Sequence, residues 1–196
     1  MIHAILLAAA ARPCQGDLNQ MELTECWAKQ AGEADASLNA TYAKVKSGLR
    51  SLGIDPEPLT GIQLAWISTR DNTCDFESSL EEGGTIAPMM GWQCVDRMTR
   101  ARTKRLVNVL VAYQNGEVHK TQPVSAAADK ELNRVYGLLV KYDLSASSHA
   151  QLTAAELAWI SYRDKACAFE GGTCLTELTK ERTSEYEDGW LGEPFW

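Results

Sequence analysis

LAWISTRD, Leu64 to Asp71, returns as LAWISYRD, Leu157 to Asp164, and the one change between them is Thr69 to Tyr162. The repeat extends beyond the octet. Ala34-Asp35-x-x-Leu38-Asn39-x-x-Tyr42 reappears as Ala128-Asp129-x-x-Leu132-Asn133-x-x-Tyr136, and Gly83-Gly84-Thr85 as Gly171-Gly172-Thr173. Tyr42 to Tyr136 is a shift of 94 and Trp66 to Trp159 a shift of 93, so register is nearly kept, as in a duplicated supersecondary unit. Cys74 to Cys94 spans 20 positions where Cys167 to Cys174 spans 7, so the second copy has lost 13 residues of loop.

Within each copy the periodicity is helical. Leu38, Tyr42, Val45, Leu49 and Leu52 follow three- and four-residue steps and form one stripe of a helix beginning near Leu18. The next helix is expected to open with a capping box, Thr60 with Gln63, and a hydrophobic staple, Leu59 with Leu64; the second copy repeats these as Thr153 with Glu156 and Leu152 with Leu157. A third helix is expected near Cys94 or Cys174, continued in the longer copy by Val95, Met98, Leu106, Val109 and Tyr113. No stretch alternates convincingly as a strand. The expected architecture is all-α, two tandem disulfide-stabilised modules of about three antiparallel helices each. Residues 14–114 form the first module and 127–196 the second with an aromatic tail, and the polar, turn-rich residues 115–126 link them.

The octet has a physical logic on a helix. Trp66, Arg70 and Cys74 are four apart, as are Trp159, Arg163 and Cys167, so each indole can lie beneath a guanidinium. Asp71 and Asp164, one position further, are expected to reach an adjacent helix, with Thr99-x-x-Arg102 and Thr179-x-x-Arg182 as candidate partners. The preferred reading is that the octet fixes helix against helix. The alternative is an outward Trp-Arg-Asp binding edge, since Trp and Arg dominate such sites. Asp35 with Asn39 and Asp129 with Asn133 read as polar bridges along a helix.

The 196-residue chain is 45% hydrophobic and carries a formal charge of −7, which suits a folded globular protein and argues against a general nucleic-acid binder. Cys14, Cys26, Cys74, Cys94, Cys167 and Cys174 form an even set without C-x-x-C or histidine at metal-ligand spacing, so disulfides are favoured over a metal or redox site. Six cysteines allow 15 pairings. Local pairing, Cys14 with Cys26, Cys74 with Cys94 and Cys167 with Cys174, gives each copy one equivalent crosslink and pins the N-terminal segment. Disulfides persist outside the cytosol, and residues 1–13, with apolar Ala4 to Ala11, read as a signal or signal remnant. The expected location is periplasmic or secreted, and no later stretch is apolar enough to span a membrane.

No cofactor and no catalytic set is expected. G-x-S-x-G and H-E-x-x-H are absent, and His3, His119 and His149 lie outside the repeated segments. The basic run Arg97, Arg100, Arg102, Lys104 and Arg105 reads as a solvated helix face with Arg102 turned to the core.

Taken in order, the cysteine-bearing N-terminal segment, Ala-Asp-x-x-Leu-Asn-x-x-Tyr, Leu-Ala-Trp-Ile-x-x-Arg-Asp-x-x-Cys, Gly-Gly-Thr, Cys and Thr-x-x-Arg-Thr resemble the LprI-like lysozyme-inhibitor domain. Cys14 to about Val107 carries the whole pattern; Ala127 to about Thr183 lacks the first cysteine pair and the long loop. The resemblance implies a small helical, disulfide-stabilised envelope or secreted protein that binds and inhibits lysozyme or another basic cell-wall hydrolase. An envelope structural or interaction module recognising a different protein is the alternative. Candidate contact regions are Glu81 and Glu82 through Trp92, and the tail from Trp190 to Trp196.

Overall fold

The computed structural model describes residues 14–190, which form six α-helices and, among those residues, no strand. They are α1 (Gln20–Ser51), α2 (Pro58–Ser79), α3 (Ala87–Asn115), α4 (Ala126–Leu139), α5 (Ala146–Glu170) and α6 (Cys174–Gly189). Residues 1–13, read as a signal or its remnant, lie outside the described residues, as does Trp196.

Each copy contributes three helices. In the first, α1 lies along α3 and α2 packs on α3; in the second, α4 lies along α6 and α5 packs on α6. Gln20 meets Met89 at one end of the α1/α3 pair and Gly48 meets Leu110 further along, so these two helices are parallel. The copies join through α2 and α5. The Ser148 hydroxyl at the start of α5 donates to the Ser79 carbonyl at the end of α2 (3.3 Å), which makes that pair antiparallel. One continuous apolar cluster contains Leu38, Trp66, Leu106, Leu132, Trp159 and Leu178, one residue from each helix in turn. The two copies therefore share a core and bury each other's apolar faces.

The helix starts differ from the expected capping boxes. Asn19 caps α1, accepting from the Met21 and Glu22 amides (3.0 and 3.1 Å), while Glu22 accepts from the Asn19 amide (2.8 Å). This reciprocal box is the one that forms. Helix α2 begins at Pro58, two residues before Thr60, because proline has the right φ for a first turn and no N–H to leave unpaired there. Helix α5 begins at Ala146, well before Thr153, with the Ser145 hydroxyl accepting from the Ser148 amide. Thr60, Gln63, Thr153 and Glu156 are thus interior helix residues. Leu64 and Leu157 are each 64% exposed, so neither closes a staple. Helix α3 likewise starts at Ala87, ahead of Cys94, and Leu52 caps α1 in the exposed state instead of joining its buried stripe.

The three disulfides are Cys14–Cys26, Cys74–Cys94 and Cys167–Cys174, the local set. The second ties α2 to α3 and the third ties α5 to α6, at equivalent positions. Closing the 20-residue interval adds about 3 kcal/mol in the chain-entropy picture.

The segment between α3 and α4 is held against the second copy. Gly116 ends α3 in the left-handed conformation (φ 69°). Beyond it, the His119 carbonyl accepts from the Gly172 amide (3.1 Å), the Gln122 amide donates to the Gly172 carbonyl (2.8 Å), and the Thr121 hydroxyl donates to the Cys167 carbonyl (2.8 Å). A Cβ on Gly171, at φ 70°, would fall 1.9 Å from the His119 oxygen. Glycine is required there both by backbone conformation and by the close approach of this segment.

Candidate binding site

The repeated motifs assemble two features, a pair of buried arginines and a groove above one of them. Both Thr-x-x-Arg arginines are inside: Arg102 is 2% exposed and Arg182 fully buried. The expectation that Arg102 turns inward holds, but the rest of that basic run is largely paired and not simply solvated. Arg97 pairs with Glu77, Arg100 with Asp96 (2.8 Å), and Arg105 bridges to the second copy through Glu170 (2.5 Å) and Glu181 (3.7 Å).

Arg102 donates from Nε to Gln63 Oε1 (3.1 Å) and from Nη1 to the Tyr162 hydroxyl (3.1 Å), with its guanidinium 6.0 Å from the Trp66 ring and 5.4 Å from the Tyr162 ring. Arg182 donates from Nε to Glu156 Oε2 (3.3 Å) and the Tyr186 hydroxyl (3.0 Å), and from Nη1 to Glu185 (2.9 Å) and Thr73 (3.4 Å). Trp159, Tyr186 and Trp190 surround it at 5.9, 4.6 and 5.4 Å. A desolvated guanidinium facing aromatic rings gains about 2 kcal/mol from a good contact, which offsets part of the cost of its burial.

The single difference between the octets has a structural counterpart. Each buried arginine has one tyrosine hydroxyl and one tyrosine ring. Arg102 takes both from Tyr162 of the other copy, because the residue four beyond it is Leu106; Arg182 takes both from Tyr186, four beyond it on its own helix, and the octet position that could have faced it is Thr69. Thr69 bonds its own helix at the Ala65 carbonyl (2.9 Å). The exchange of Thr69/Tyr186 for Tyr162/Leu106 keeps one tyrosine on each buried arginine while moving it from one chain segment to another. A second exchange does not conserve charge: Arg182 faces the Glu156 carboxylate where Arg102 faces the Gln63 amide.

The octet's own arginines sit at the surface of this core. Arg70 lies 5.3 Å from the Trp66 ring and Arg163 5.0 Å from the Trp159 ring, as the four-residue spacing predicts. Asp71 and Asp164 do not reach the third helices. Each instead accepts from the neighbouring Arg, Arg70 Nε to Asp71 at 2.8 Å and Arg163 Nε to Asp164 at 2.9 Å. Consecutive helical Cβ atoms diverge, but an arginine stem laid along an indole is long enough to turn its head sideways. Trp66 and Trp159, each 4% exposed, are core residues, while the Arg and Asp of each octet reach its solvent-facing edge.

Above Trp66, α1 and α2 enclose a groove of about 200 Å³. Asp35, Asn39 and Tyr42 line one wall; Gln63, Ile67 and Arg70 line the other. Asn39 donates to Asp35 (3.0 Å), Arg70 reaches Asp35 at 3.5 Å, and Thr60 accepts from Lys46 (3.2 Å) and the Tyr42 hydroxyl (3.4 Å). In the second copy Asn133 donates to the Asp129 carbonyl (2.8 Å), and Arg163 pairs only with Asp164 among the described residues. The groove offers paired charges, amides and hydroxyls suited to binding, and its lining contains no histidine. No group of three or more metal-ligating side chains occurs among the described residues.

The other candidate contacts are placed as follows. Glu81 is half-buried, Glu82 exposed, and Trp92 42% exposed. Trp190 packs edge-on against Phe76 (4.6 Å) and beside Tyr186 (4.8 Å), closing the Arg182 site. Sequence reasoning missed Gln63, Glu156 and Tyr186 as arginine partners. The available signal was the tyrosine four residues after the second Thr-x-x-Arg, set against leucine after the first.

Comparison with known proteins agrees with this architecture. The sequence model of the family described as "Lysozyme inhibitor LprI" matches residues 11–106 and 120–186. An uncharacterised protein of Rhizobium meliloti (strain 1021) is 33% identical over 113 residues, covering 52% of this chain and 81% of the relative. A crystal structure of an uncharacterised protein from Burkholderia thailandensis superposes with a TM-score of 0.67 at 19% identity, over 87% of each chain, which is a likeness of fold.

Proposed function

The chain belongs to the lysozyme inhibitor LprI family, and on that footing we propose that it is a periplasmic or secreted protein that inhibits lysozyme or a related cell-wall-degrading enzyme by binding it, without chemistry of its own. The observation that carries the reading is the match of the family pattern to both copies, residues 11–106 and 120–186. Three physical features support it. The charge of −7 favours association with basic enzymes, as many lysozymes are, through long-range steering. The three disulfides suit an oxidising compartment. The shared core and buried arginine pair make a rigid body that loses little conformational freedom on binding.

The test is the rate of cell-wall lysis by a panel of lysozymes titrated with oxidised protein, repeated after reduction and across a salt series. Stoichiometric inhibition by the oxidised form, weakening as salt rises, is the expected result. Absence of inhibition of every lysozyme by folded, oxidised protein defeats the reading.

A further inference from the structure

We propose that the Thr60–Gln63 end of the groove between α1 and α2 binds the carboxylate of a small apolar acid, a site independent of any contact with lysozyme. Asp35 meets Arg70, while further along α1 Tyr42 and Lys46 meet Thr60 near the start of α2, so the helices run antiparallel and the groove has unlike ends. At one end Arg70 stands between the carboxylates of Asp35 (3.5 Å) and Asp71 (2.8 Å). At the other end are two cations, Lys46 on the Thr60 hydroxyl (3.2 Å) and Arg102 on the Gln63 amide oxygen (3.1 Å), and neither has an acidic partner among the described residues.

Arg102 is 2% exposed, and a cation so buried is ordinarily paired with an anion because it has lost its hydration. Its counterpart Arg182 follows that rule through Glu156 and Glu185. At the equivalent positions of the first copy stand Gln63 and Arg105, so both carboxylates are gone. Arginine only donates, so the Gln63 oxygen must face Arg102 Nε and the amide nitrogen is turned away from it. That nitrogen has no acceptor among the described residues and is not one of their shielded, unpartnered atoms, which leaves it an open donor on a groove that Gln63 lines. A bond to it is strengthened by the cation behind the amide. The Thr60 hydroxyl accepts from Lys46 and from Tyr42 (3.4 Å) and keeps its own proton to donate. Two neutral donors backed by two cations define a place for an anion, and carboxylate is the anion that the second copy sets beside its own buried arginine, as Glu156. Leu64, 64% exposed, and half-buried Ile67 flank the groove above Trp66, and a volume of about 200 Å³ suits a compact apolar body with one polar head.

The experiment titrates the full oxidised chain by NMR with isocaproate and with its neutral amide at constant ionic strength, and with inorganic phosphate as a second anion. The expected result is a saturable shift of the Tyr42, Thr60, Gln63 and Leu64 backbone amide resonances by isocaproate and none by isocaproamide. Gln63→Glu gives Arg102 the carboxylate that Arg182 has and removes the open donor. It is expected to weaken isocaproate binding by about tenfold or more, the worth of one charge-assisted hydrogen bond, without lowering the melting temperature. Lys46→Gln, at the rim of the groove, is expected to weaken binding several-fold with the fold intact. Equal shifts by acid and amide, no shift by either, phosphate binding as tight as that of isocaproate, or an unchanged affinity for isocaproate in either folded variant overturns the proposal.

Discussion

The Arg102 guanidinium of the first copy donates to the Tyr162 hydroxyl of the second at 3.1 Å, so the residue that distinguishes the two octets joins the two copies. Tyr162→Phe keeps the ring and strands Nη1 of a buried cation, a loss of about 1–3 kcal/mol in urea unfolding. Tyr162→Thr, which restores the first octet's residue, also opens a cavity and is expected to cost about 3–5 kcal/mol. Adding Leu106→Tyr recreates the arrangement around Arg182, and the double variant is expected to lose less than the sum of the two single losses. Simple additivity in that cycle would refute the compensation.

Arg182 is the most heavily partnered side chain of the fold, and Arg182→Ala removes a fully buried cation from two carboxylates and three rings. A loss of about 3–5 kcal/mol is expected, because Glu156 is left uncompensated at the core's edge. Arg182→Lys is not expected to restore stability, since an ammonium lacks the planar fork that meets Glu156, Glu185 and Thr73 together. Recovery of the parent melting temperature by lysine would contradict this.

Glu77, paired with Arg97, is pushed above the ordinary carboxylate range by burial, and the opposing pull of Arg97 does not cancel that shift. A raised folded-state pKa means that the native protein holds this proton more tightly than the unfolded chain. The resulting stabilisation is complete below the unfolded value of about 4.3 and is lost as pH rises through the folded value. Glu77→Gln, which does not titrate, is therefore expected to gain stability relative to the parent as pH rises from 4 to 7. A stability difference that is flat or of opposite slope across that range, measured by urea unfolding, would show the shift to be misassigned.

The two equivalent disulfides close intervals of 20 and 7 residues. Replacing both cysteines of Cys74–Cys94 with alanine is expected to cost about 1 kcal/mol more than the same change at Cys167–Cys174, from loop-closure entropy alone. The comparison is made by thermal or urea unfolding of the two double variants. The opposite ranking would place the larger role in the short α5–α6 turn, where the linker also docks.

Much of the fold was legible in the chain because it is written in local spacing. Four-residue steps such as Trp66 to Arg70 place side chains on one face whatever the helix packs against, and the observed ring contact follows that spacing. Duplication of Leu64–Asp71 as Leu157–Asp164 identified the tandem arrangement before any contact was known. The helix starts were less legible. Thr60 with Gln63 has the form of a capping box, yet Pro58 begins the helix earlier, and the freed Gln63 amide oxygen serves Arg102.

By itself the sequence determined the helical class and the two copies, since propensity and periodicity act over a few residues; it favoured local crosslinks, and the structure fixed their pairing. Only the tertiary structure decided that the copies share one core, that Arg102 takes its tyrosine from the other copy while Arg182 uses its own helix, and that the longer loop of the first copy lies beside the start of α5. Arg102 and Gln63 are 39 positions apart, Arg102 and Tyr162 60, and Arg182 and Thr73 109. Contacts at those separations exist only once whole helices have chosen their faces. That choice is made by the combined burial of many side chains, so no local pattern around either partner specifies it.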